Sequence, residues 1–166
     1  MTVILGKSLN DYIKVITLPV AVWFVWRLIS LGATVMLLGG LNAAMAGGGT
    51  PAGAGAALGV LGIAMVLGLV GLAIEVFMGA WIGWRTVTVL KGSYPHAVVS
   101  ALLAAVITTV IAVVLGFISN VLMGSDIATV MVGLLITAVI GFVVAVIELG
   151  ILAVIGVFVA GMMKKK

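Results

Sequence analysis

GAALGVLGIAMVLGLVGLAIEVFMGAWIGW, residues 55–84, carries one ionisable side chain, Glu75, across its whole length. About 20 apolar residues in a helix cross roughly 30 Å of hydrocarbon, so this stretch reads as a membrane-spanning helix. A barrel strand would be about ten residues long and would alternate polar with apolar positions, and no such alternation is present. Three further runs read the same way, at 19–41, 97–123 and 127–163. The expectation is an all-α, polytopic integral membrane protein with four transmembrane helices. It forms one transmembrane domain over 1–166, with residues 1–18 as a cytoplasmic or interfacial segment.

The composition agrees. Of 166 residues, 65% are hydrophobic and 7% are charged, whereas a water-soluble domain carries roughly a quarter charged residues to face its solvent. This argues against a soluble enzyme and a nucleic-acid binder. No cysteine is present and there is one histidine, His96, so the chain has neither thiolate chemistry nor an imidazole cluster. No phosphate loop, nucleophile with base or metal-ligand spacing is found. No cofactor or metal is expected, and no enzymatic activity.

Apart from Arg27 within the first run, lysine and arginine fall at Lys7, Lys14, Arg85, Lys91 and the run Lys164, Lys165, Lys166, while the first and third connectors have none. By the positive-inside rule both termini and the middle connector are cytoplasmic. Trp23, Trp26, Trp81, Trp84, Tyr12 and Tyr94 lie towards that same side, as an interfacial belt would. The terminal lysines read as a lipid anchor. Arg27, the apolar 28–41 stretch and Ala44-Met45-Ala46 imitate a secretory signal, but the cleavage site would lie unusually far in, and an uncut anchor is expected.

An internal repeat organises the rest. Ala73-Ile74-Glu75 with Ile82-Gly83 returns as Val146-Ile147-Glu148 with Ile155-Gly156, an offset of 73. Leu61, Ile63 and Gly68 align with Leu134, Ile136 and Gly141. The first helices match more loosely at an offset of 76, with Pro19 against Pro95. The reading is a tandem duplication of a two-helix hairpin, with repeats at 19–84 and 97–163. The layout, a duplicated glycine-rich hairpin with a carboxylate in each second helix, resembles the four-helix proteolipid ring subunits of rotary ATPases. Their glycine-repeat first helix and polar connecting loops are missing here.

Charges inside a membrane cost about 2.5 to 3.5 kcal/mol each on insertion scales and mark candidate sites. Arg27 lies roughly 12 Å beyond Pro19 and Glu75 roughly 15 Å before Arg85 at 1.5 Å per residue, so their depths match and an ion pair is expected. An alternative register, with the first span starting after Arg27, would leave Glu75 without it. Glu148 has Leu103 where the arginine of the other repeat would stand. Its nearest candidate partners are Thr108, Thr109 and Thr137, and desolvation favours the neutral form of such an acid. These three ionisable groups are candidates for ion binding or for polar links between helices.

Small residues supply the packing candidates: Gly71, Gly79 and Gly83 in a ladder with Glu75, an Ala97, Ala101, Ala105 face as the counterpart of Gly79 and Gly83, and Gly141 and Gly156 in the second repeat. The functional expectation is a non-enzymatic subunit that oligomerises, or joins other membrane subunits, through its glycine faces, with membrane lipids around it. The alternatives are a proton- or cation-translocating protein using Glu148 and Glu75, and a viral envelope or holin-like remodelling protein.

Overall fold

The computed structural model describes residues 3–46, 51–124 and 126–163. The terminal lysines 164–166, and Gly48 and Ser125 in the two hairpin connectors, lie outside the described residues. A short antiparallel pair, β1 (Val3–Ile4) and β2 (Lys7–Ser8), precedes four helices: α1 (Leu9–Ala46), α2 (Pro51–Thr88), α3 (Tyr94–Leu122) and α4 (Ile127–Met163). The protein is all-α in class, and all four helices are long and apolar enough to cross a membrane.

α1 and α2 extend beyond their apolar runs at both ends, α3 begins three residues before its run, and α4 coincides with its run; local capping sets the starts of α1 and α3. The Ser8 hydroxyl accepts from the Asp11 N–H at 3.3 Å, and the Asp11 carboxylate accepts from the Ser8 N–H at 3.2 Å, a reciprocal cap that starts α1 at Leu9. The helix therefore continues through Pro19, and the 1–18 segment is largely its first turns. Leu5 and Gly6 turn the chain between β1 and β2 with φ of 50° and 77°, the left-handed pair that a two-residue hairpin loop requires. At the other connection Ser93 caps α3 ahead of Pro95, where proline is tolerated because its missing N–H would be unpaired anyway.

Packing is uneven along the bundle. At the end that bears the termini, Tyr12, Val15, Ile16, Ile82, Thr86, Ala97, Ser100, Ala101, Ala105 and Ala153 are buried. At the hairpin-turn end, Ser119 and Val130 are the buried positions among the described residues. The tight end is built on small residues. A side chain on Gly83 would strike the Ala153 backbone, one on Gly156 would strike that of Ala80, and one on Gly79 would meet Leu152. So α2 and α4 cross in direct backbone contact, the approach that glycine permits between membrane helices.

This corrects two expectations. Gly79 and Gly83 face α4 and not the Ala97, Ala101, Ala105 face of α3, which is buried in the same core. Nor does the ladder of fours hold to one neighbour: Gly71 abuts the Trp26 indole on α1, with 3.2 Å left for a Cβ, whereas Gly79 and Gly83 abut α4. The reason is helical pitch, since four residues overshoot one turn by about 40°. Twelve residues carry the face from one neighbour to the next.

Candidate functional site: a polar layer between two clefts

Arg27 on α1 donates from Nη2 to Glu75 Oε1 on α2 at 3.0 Å. Its Cζ also stands 5.0 Å from the centre of the buried Trp23 ring. The spacing explains this: residues four apart share a helix face, so Trp23 and Arg27 stack, and the aromatic face favours the cation. α1 is continuous from Leu9 to Ala46, so the residues before and after Arg27 belong to one helix. The pair is not enclosed within one chain, for the Arg27 and Glu75 side chains are 44% and 31% exposed.

Glu148 on α4 lines a cleft of about 410 Å³ together with Trp23, Arg27, Glu75, Thr108, Thr109 and Thr137. The structure thus gathers all three ionisable candidates of the apolar spans at one level. It does not join Glu148 to the threonines, for no hydrogen bond or ion pair reaches its carboxyl among the described residues. The Thr108 hydroxyl instead donates to the carbonyls of Ala104 and Ala105 in its own helix, at 2.9 and 3.2 Å. Gly141, expected in helix packing, is a wall of this cleft: nothing lies within 4 Å of where its Cβ would be.

A second cleft, of about 660 Å³, opens between α1 and α2, with Ser30, Thr34, Leu37, Leu61, Gly68 and Gly71 on its walls and Arg27 and Glu75 at its base. Ser30 and Thr34 donate to Arg27 and Ser30 carbonyls, so their hydroxyls are satisfied within the helix. The ion pair stands between the two clefts and lines both.

Sequence reasoning missed the cluster that ties the first residues to the bundle. The Tyr12 hydroxyl donates to the Ile4 carbonyl at 3.1 Å. The His96 ring stacks on Tyr12 at 6.2 Å between centroids. The Ser93 N–H donates to His96 Nδ1 at 3.2 Å, which assigns the ring proton to Nε2, and that nitrogen lies 3.2 Å from the Leu5 carbonyl. The readable signals were Ser8-x-x-Asp11 and Leu5-Gly6.

No family model matches the chain, and no curated protein or solved structure shows significant similarity to it.

Proposed function

We propose that the chain is a non-enzymatic integral membrane subunit, with both termini cytoplasmic, that assembles with copies of itself through α2. One observation carries this reading. Gly55, Gly59 and Gly62 are exposed and have nothing within 4 Å of a built Cβ, and helical geometry puts them within about 60° of one another. They lie on the side of α2 turned away from the α1–α2 cleft, which is walled by Leu61, Ala64, Gly68 and Gly71. A glycine in a helix interior costs about 1 kcal/mol relative to alanine, and three on one face recover that cost only where another helix comes close. The basic residues near the termini and in the middle connector support the orientation.

Duplication of a hairpin belongs to the same proposal, and the α2–α4 crossing supports it. At the offset of 73, Leu152 matches Gly79, Ala153 matches Ala80 and Gly156 matches Gly83. The contacts are Gly79 with Leu152, Ala80 with Gly156 and Gly83 with Ala153. One residue meets its own equivalent, and the flanking contacts exchange partners, which is the pattern of a local two-fold axis. Because α2 and α4 run in the same direction, that axis lies along the bundle, as parallel membrane repeats require.

The test is Gly59→Leu, which the single chain accommodates. Light scattering in mild detergent should show an oligomer for the parent and a smaller species for the variant, with helicity unchanged. A parent that is monomeric both in detergent and after cross-linking in vesicles would end the assembly reading. The translocation alternative draws on the placement of Glu75 and Glu148 in one cleft; flux across reconstituted vesicles that disappears in Glu148→Gln is its test.

A further inference from the structure

The walls of the two clefts correspond. On α4 the second-hairpin cleft uses Leu134, Thr137, Gly141 and Glu148. At the offset of 73 these are Leu61, Ala64, Gly68 and Glu75, all of which line the cleft of the first hairpin. The second helix of each hairpin therefore lines a cleft with a glutamate and an open glycine two turns away; the first cleft lies between α1 and α2, and the second is closed on its other sides by α1, α2 and α3. They differ in what meets the glutamate. In the first hairpin a guanidinium, that of Arg27, lies 3.0 Å from the carboxylate. In the second, no cation of the chain pairs with Glu148 among the described residues, and the position matched to Arg27 is Leu103.

The ionised forms of Arg27, Glu75 and Glu148 together leave one negative charge in the polar layer. The remaining walls are apolar or hydroxyl-bearing, including Val113, Leu134, Ala138 and Val144, and 410 Å³ falls within the range of small-molecule sites, about 300 to 1,000 Å³. We propose that the second-hairpin cleft binds an organic monocation, a guanidinium or ammonium group carried on an apolar body, with Glu148 as its counter-ion. The Arg27–Glu75 pair is the internal image of that complex, with the cation supplied covalently. An apolar body fits the walls, and a single positive charge completes the layer. A dication or an anion does neither. The inference uses the correspondence of the hairpins and is independent of assembly through α2, since one chain supplies the whole cleft.

The experiment is equilibrium dialysis of the full chain in detergent micelles against phenylguanidinium, with protein-free micelles as the blank and phenylurea as the uncharged analogue of the same shape. Phenylguanidinium should bind saturably, near one per chain, and phenylurea about tenfold or more weakly, the effect of roughly 1.4 kcal/mol. Glu148→Gln should lose binding by a similar factor with helicity and elution unchanged. Gly141→Leu, which fills the cleft without touching a charge, should also lose it. Gly68→Leu, the equivalent change in the other cleft, should keep it, and this pair of variants decides the location even if the glutamine variant folds poorly. Equal uptake of both probes, undiminished binding in Gly141→Leu, or no saturable binding by the parent would overturn the proposal, the last meaning that the acid holds only its own proton.

Discussion

Glu75 and Glu148 stand 73 residues apart, one in α2 and one in α4, yet one is bound to an arginine at 3.0 Å and the other faces a cleft with no paired cation among the described residues. The difference traces to the first helix of each hairpin. Trp23 and Arg27 lie one turn apart on α1, and the indole holds the guanidinium against Glu75. On α3 the positions matched to Trp23 and Arg27 at the offset of 76 are Val99 and Leu103, an aliphatic pair with neither an aromatic ring nor a cation.

The two hairpins meet at the crossing of α2 with α4. Gly83→Leu forces a side chain into the backbone of Ala153 and should cost about 3 kcal/mol, the upper part of the overpacking range, read as a lower midpoint in thermal unfolding in detergent. Gly141→Leu, in open space, should stay within about 0.5 kcal/mol of the parent, as substitutions away from packed features do. If the two glycine variants unfold together, the crossing does not hold the bundle.

A smaller effect separates the two roles open to Glu148. Glu148→Gln keeps the size and hydrogen-bonding capacity of a neutral acid and should change unfolding by less than about 0.5 kcal/mol. Glu148→Ala should cost more, about 1 kcal/mol, by enlarging a cleft already open beside it. Equal losses in both variants would mean that the ionised carboxylate, and not its shape, supports the fold.

Hydropathy made the four helices legible, because a bilayer leaves little choice of structure for thirty apolar residues. The level of Arg27 with Glu75 could be read from rise per residue alone. Which neighbour each glycine meets could not, since the 40° drift per four residues carries Gly71 and Gly83 to different helices and the crossing of α2 with α4 is a tertiary fact. Gly141 was not legible as a cleft wall for a different reason: a glycine permits close approach without requiring it. The hairpin at residues 3–8 escaped notice because two-residue strands have no periodicity to detect; its hold on His96 and Tyr12 comes from contacts 91 and 8 residues apart in the chain.

Arg27 belongs to Glu75 and not to Glu148, although all three line one cleft. A double-mutant cycle measures this directly. Arg27→Leu alone should destabilise by about 2 kcal/mol, the scale of a lost charged hydrogen bond, and Arg27→Leu with Glu75→Leu should recover much of that loss, because no lone charge then remains. Arg27→Leu with Glu148→Leu should be additive. Additivity in the first pair, or a coupling in the second as large as in the first, would contradict the assignment.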